Sequence, residues 1–286
     1  MMKNLEKLKE LAASLPKPYT VNASALVERM GEVIEGLSDK PMEYRPPTLK
    51  LVQATSDRSK LPKGASIGSL VLGESVLSTP VKTIPVRVYS IRQMWDADPE
   101  KASVICSSPD GITGFKYGDC KVCPHQKFDE VERKSACNKG LTVLAITEDL
   151  SQLFFINFAK TNYSSGTDWQ SLMRKASTSP YKRIYDMSTG TSPKAKNVEI
   201  IKVEPAAVNV VDAKIIPFLD ELFRITDADR KESLDSFYAY LKTKQANSPL
   251  AITEVSASEA DGSVTLITAA TSNEGADAKV VTGYAL

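Results

Sequence analysis

"LTVLAITEDLSQLFFINFA", residues 141–159, is the stretch on which the fold turns. Two runs rich in β-branched and aromatic residues, 141–147 and 152–159, flank the short connection "EDLS". Such runs form strands, and a four-residue connection has hairpin length, so the two strands are expected to pair antiparallel. Side chains alternate along a strand. In the second run Leu153, Phe155, Asn157 and Ala159 therefore share one face, while Phe154, Ile156 and Phe158 share the other. One face belongs to a core, and the opposite aromatics need either a covering helix or a ligand.

Working outward, "TLKLVQ" (48–53), "SIGSLVL" (66–72), "TIPVRVYSIRQMW" (83–95) and "NVEIIKVEP" (197–205) read as further short strands. A helix is expected from Thr167 or Asp168 to about 176, carrying Trp169, Leu172 and Met173. Five or six strands with one or two helices among them predict a small β-barrel or an α+β domain over 44–210, with flanking helices. A doubly wound sheet would show regular strand–helix alternation and a Gly-rich first turn, and neither is present.

Residues 1–43 form an expected helical arm. Leu5, Leu8, Ala12 and Leu15 recur at helical spacing before Pro16 and Pro18 stop the run. A second helix is expected after Asn22 as N-cap, with Leu26, Met30, Val33 and Leu37 on its apolar side and Gly36 as its end. Residues 211–247 read as two helical segments, with Pro217 near the start of the first and Thr226 or Asp227 capping the second. Residues 248–286 turn to Ala, Ser, Thr, Gly and acidic residues, the composition of a flexible tail.

The composition is that of an ordinary globular chain: 42% hydrophobic, 25% charged, formal charge +1. No stretch approaches the roughly 20 apolar residues that span a bilayer, and no apolar signal block opens the chain. A cytoplasmic protein with reduced cysteines is expected, with no membrane partner.

All four cysteines lie within 32 positions, spaced Cys106-x13-Cys120-x2-Cys123-x13-Cys137. A C-x2-C turn can hold two corners of a tetrahedron, and two outlying thiolates can fill the others. Zinc is the leading ion; an iron–sulfur centre uses the same ligands, and spacing leaves both open. His125 stands too close to Cys123 to share one ion easily and reads as solvated. Four cysteines leave no open position for water, so the expected site, within 106–137, is structural.

From Lys160 to Lys202 eight basic residues meet three acidic ones, a net of +5. Lys160, Arg174, Lys175, Lys182 and Arg183 are cations suited to phosphates, with Tyr163, Trp169, Tyr181 and Tyr185 interleaved. Exposed rings stack on bases without demanding a sequence, and Phe154 and Phe158 are candidates for the same role. Arg87 and Arg92, on the strand at 83–95, extend the track. The chain lacks a P-loop, a GxGxxG and an H-E-x-x-H, and its one histidine has no serine elbow beside it. An enzyme is not expected.

The motifs "CSSPDG" (106–111), "YGDCKVCPHQKF" (117–128), "ACNKG" (136–140) and "LFFINFAKTNYSSGTDW" (153–169) resemble a loose group of bacteriophage proteins that bind single-stranded DNA. The similarity spreads over about 45–205. It implies an OB-like barrel with an inserted zinc-binding loop, acting in phage DNA replication, recombination or transcription in the infected host cell. It implies Cys106, Cys120, Cys123 and Cys137 as ligands, residues from Phe154 to Arg183 near the DNA, and a phage or host polymerase or other replication protein as partner. The end "VVTGYAL" is only mildly acidic where that group often carries a dense acidic tail. A phage structural or interaction protein and a metal-dependent nuclease are the alternative readings.

Overall fold

The computed structural model of the chain describes residues 5–34, 42–96, 103–127, 130 and 135–247. Among them are four α-helices: α1 (Leu5–Ser14), α2 (Tyr19–Gly31), α3 (Tyr163–Lys175) and α4 (Ile216–Asn247). The strands begin with a two-stranded ribbon, β1 (Val33–Ile34) and β2 (Met42–Glu43). Next come β3 (Thr48–Leu51), β4 (Leu70–Leu72), β5 (Ser75–Leu77) and the long β6 (Val81–Trp95). The cysteine region holds β7 (Val104–Ser108), β8 (Thr113–Gly114) and β9 (Gly118–Asp119). The last four are β10 (Cys137–Thr147), β11 (Leu153–Ala159), β12 (Arg183–Thr191) and β13 (Glu199–Val210).

The fold is mixed α+β around one curled, half-barrel sheet. Its strands run β13-β12-β6-β10-β11-β3-β4-β5, and β7 pairs with the far end of β6. The expected hairpin is present: β10 and β11 pair antiparallel, with Leu144 opposite Phe155 and Gly140 opposite Ala159. Asp149 shapes its turn by accepting from Ser151 N–H (3.0 Å) and the Thr147 hydroxyl (2.6 Å). β6 bulges where Leu144 and Ala145 face Arg87 and Pro85, skipping Val86. Pro85 has no N–H to give the ladder, and a bulge is where a strand tolerates that loss.

The central strands are covered on both sides. On one side Ile84, Val86, Leu144, Ile146 and Leu153 pack against Leu8, Leu26, Phe218 and Leu222, from α1, α2 and α4. On the other, Val143, Phe154, Ile156 and Phe158 pack with Trp169 and Met173 of α3, and with Leu70, Met187 and Ile201. The aromatics that required cover are met by α3.

The curl brings β3 toward β13. Gln53, just past β3, donates its amide to Glu199 C=O (2.8 Å) and accepts from Glu199 N–H (3.0 Å). Asn162 accepts from Ile201 N–H at 2.8 Å. On the helical side, buried Glu221 of α4 pairs with Lys7 of α1 (3.0 Å) and with Arg224. The Arg224 hydrogen bonds, aided by Lys7, hold its carboxyl below the usual glutamate value against burial.

Several elements differ from expectation. α2 starts at Tyr19, so Asn22 lies inside it and donates to Asp149 C=O (2.9 Å) instead of capping. It ends at Gly31 and Val33 enters a strand; Gly36 and Leu37 lie outside the described residues. α3 starts four residues before Thr167. The two C-terminal helical segments are one helix, with Pro217 in its first turn. Thr226 satisfies its hydroxyl on Leu222 C=O (2.9 Å) and Phe223 C=O (3.0 Å), a helix-interior arrangement that leaves no break for a cap there. Strands β5, β7 and β12, and the short ribbons β1–β2 and β8–β9, were not expected. The tail at 248–286 lies outside the described residues. Among the described residues no helix is long and apolar enough to cross a membrane.

Candidate functional site

The four cysteines converge. β7 and β10 flank the end of β6, and both Cys106 and Cys137 stand opposite Met94, one from each side. Between them the chain folds back through the β8–β9 ribbon, where Cys120 N–H donates to Ile112 C=O at 2.8 Å. A tight turn follows: Lys121 N–H donates to the Asp119 carboxylate (2.8 Å) and Gln126 N–H to Cys123 C=O (3.3 Å). Cys106, Cys120, Cys123 and Cys137 then line one cavity of about 10 Å³, room for a single water-sized sphere.

Gly114 is part of this design. A Cβ there would stand 2.9 Å from Cys106 Sγ and in ordinary contact, 3.8 Å, with Cys120 Sγ, so any side chain would press into the Cys106 sulfur. Burial pushes the thiols of Cys120 and Cys137 above their ordinary value, while Arg92 draws both the other way. Among the described residues no three His, Cys, Asp or Glu side chains stand close enough together to hold a metal ion. What is present is a shared cavity of four soft donors with a glycine opening. His125 is half-buried at its wall, its ring 4.5 Å from that of Tyr117, and so is less solvated than its sequence position implied.

The turn "SSPDG" connects this region to α4. Asp110 accepts from the Ser108 hydroxyl (2.8 Å), Ile112 N–H (2.8 Å), Thr113 N–H (2.9 Å) and the Tyr238 hydroxyl. Burial pushes its carboxyl up, but these hydrogen bonds outweigh that and hold it below the usual aspartate value. Arg230 of α4 donates to Pro109 C=O and lies 4.6 Å above the Tyr89 ring.

The expected nucleic-acid residues divide sharply. Phe154, Phe158 and Trp169 are fully buried and Tyr185 nearly so, all in the core beneath α3. Trp169 packs edge-on to Phe158 (5.9 Å) and Tyr185 (5.7 Å). Tyr181 is buried on the opposite side against Phe223 (5.3 Å). These five rings present no stacking face to solvent, because the sheet needs them as core on both sides. Tyr163 is half-buried against the α3 core.

Arg87 is also committed elsewhere, ion-paired with Asp227 and lying 4.3 Å above the Phe223 ring. The groove it shares with Tyr89, Arg230 and Lys231, about 390 Å³, also holds Asp110 and Asp227, so its charge is nearly balanced. Arg92 lines the thiol cavity instead of extending a cationic track.

What the fold does gather is Lys175 at the end of α3 and Arg183 at the start of β12. They line one cleft of about 260 Å³ with Asn209, over Leu172, Ile184, Tyr185 and Pro205. Arg183 donates to the Asn209 side chain at 3.2 Å. The lining holds no carboxylate. Arg174 is exposed on α3, Lys182 is partly exposed beside Arg183, and Lys160 is exposed ahead of α3. Two cations with an amide donor and an apolar floor form an arrangement that can hold a phosphate group.

No family model matches this chain, and no curated protein or solved structure matches it either.

Proposed function

We propose that this chain binds single-stranded DNA and carries out no chemical step on it. The observation that carries the reading is the cleft in which Lys175 and Arg183 stand together without a carboxylate. A phosphodiester supplies what that pair lacks, and displacing counterions from the strand drives such binding. Because five of the six aromatic rings expected to stack are core residues, affinity rests on backbone contacts and depends weakly on base sequence. An OB-like barrel is the scaffold proposed for it, supported by the curl that carries Gln53 to Glu199. Coating exposed strands in phage DNA replication, recombination or transcription is the role such binding suits.

Zinc is the proposed ion, held by Cys106, Cys120, Cys123 and Cys137. The fit rests on four thiols around a one-sphere cavity, kept open by Gly114. Four thiolates close the coordination shell, so the ion would supply folding energy to residues 106–137 and no reactive water.

Titration of labelled oligothymidylate across a salt series tests the reading. Lys175→Ala and Arg183→Ala should each weaken binding and reduce the salt slope by about 0.7–1 unit. Absence of binding by the wild-type chain at low salt would refute it.

A further inference from the structure

The seam that closes the sheet assembles a cation group from two segments far apart in sequence. Gln53 fixes the base of the loop at 52–69 to Glu199 through two hydrogen bonds. Gly68, at the other end of that loop, lies so near β12 and β13 that a Cβ would meet Thr189 Oγ1 and Glu199 Oε2 at 3.8 Å. The loop is therefore held against the end of the β12–β13 hairpin.

The loop carries Arg58, Lys60 and Lys63; the hairpin and its turn carry Lys194, Lys196 and Lys202. All six are exposed. Lys202 extends across Gly190, where a Cβ would meet its Nζ at 2.6 Å, so its ammonium lies along the hairpin face. Across residues 52–69 and 188–202 these six cations meet two carboxylates, a net of +4 in a chain of +1. Asp57 is occupied by Ser59 and Lys60, and Glu199 by Thr191.

β13 links this group to the cleft of Lys175 and Arg183. It is the edge strand of the sheet, with Glu199 at the seam and Pro205 and Asn209 in the cleft lining. At ~3.3 Å per residue, the roughly ten residues between Glu199 and Asn209 span about 33 Å. With six exposed cations gathered at the Glu199 end, and Lys175 with Arg183 at the other, the phosphates of one strand can meet both groups in turn, passing the exposed Glu204 of β13 between them.

We infer that the loop at 52–69 and the turn at 192–198 form a second phosphate-binding surface, and that a single strand runs along β13 from there to the Lys175–Arg183 cleft. This rests on the nucleic-acid reading above and extends it to residues outside the 154–185 segment. The surface takes phosphodiester, without base recognition.

The test uses the full chain with two double variants, Lys60→Glu/Lys63→Glu and Lys194→Glu/Lys196→Glu. Thermal melting first establishes that both remain folded, as expected for exposed side chains. Each should bind labelled oligothymidylate more weakly and show a salt slope lower by about 1.4 units, at ~0.7 per phosphate contact on a single strand. If both doubles keep the wild-type slope while Lys175→Ala or Arg183→Ala lowers it, this surface is refuted and the DNA reading stands. If the wild-type chain binds no oligonucleotide at low salt, the DNA reading falls first. Heparin is the second arm: bound heparin that oligothymidylate fails to displace would overturn the assignment of this surface to nucleic acid.

Discussion

The side-chain amide of Gln53 makes both hydrogen bonds to Glu199 that a neighbouring strand would make, donating one to its C=O and accepting one from its N–H. A single residue thereby stands in for a ladder at the point where the sheet curls toward itself. Gln53→Leu should remove both bonds at a partly buried site and cost about 1–3 kcal/mol. Denaturant unfolding measures the loss, and faster hydrogen exchange at the Glu199 amide locates it. Unchanged exchange there would mean that the seam is held by something else.

Gly114 gives a steric test of the cysteine cavity. A Cβ would stand 2.9 Å from Cys106 Sγ, tighter than real contacts allow. Gly114→Ala should lower the zinc content of the purified chain, as Cys137→Ser should, and lower the melting temperature. Chelation should lower the wild-type melting temperature and leave the Cys137→Ser variant unmoved. Metal analysis beside calorimetry reads all three, and equal metal content in Gly114→Ala and wild type would count against this geometry.

Trp169 separates core from contact. It is fully buried between Phe158 and Tyr185, so Trp169→Ala should cost about 3–5 kcal/mol. The milder Trp169→Phe should stay folded and keep the oligonucleotide affinity of wild type within about twofold, since a buried ring stacks on no base. Fluorescence titration decides. A large loss of affinity in a folded Trp169→Phe would return the ring to the DNA.

Glu221 sets an acid limit on the joint between α1 and α4. Arg224 and Lys7 hold its carboxyl below the ordinary glutamate value in the folded chain. A depressed carboxyl stabilises the fold above its unfolded pKa, and that contribution fades as pH falls toward the folded value. The stability gap between wild type and Glu221→Gln should thus be constant near neutral pH and shrink below about pH 4.3. Urea unfolding over a pH series reads it; a gap that widens in acid would reverse the assignment.

The hairpin at 141–159 was legible because strand period and turn length agree within one short stretch. The cysteine spacing allowed the four to meet, and they do line one cavity. The rings were misjudged because alternation tells which residues share a face but not what lies on it. α3 settles beneath the sheet so closely that a Cβ at Gly166 would meet Phe158 Cβ at 2.6 Å. Strand β12, "RIYDMSTGT", was hidden by polar residues between its buried Ile184, Tyr185 and Met187. Asp227 and Thr226 carry a real cap signal, which the continuous packing of α4 overrides by turning Thr226 back onto the helix. The cations at 58–63 had no local signal; only the curl of the sheet makes them neighbours of Lys194 and Lys196.

Cys106 and Cys137 straddle β6 at Met94, so whatever draws their sulfurs together fastens three strands as a rivet fastens overlapping plates. β7 belongs to the sheet through β6, and two residues past its end Asp110 grips Tyr238 of α4. Loosening the rivet would therefore let β7 peel and release the far half of the helix. A tyrosine 101 residues beyond Cys137 would serve as the gauge of whether that fastening is intact.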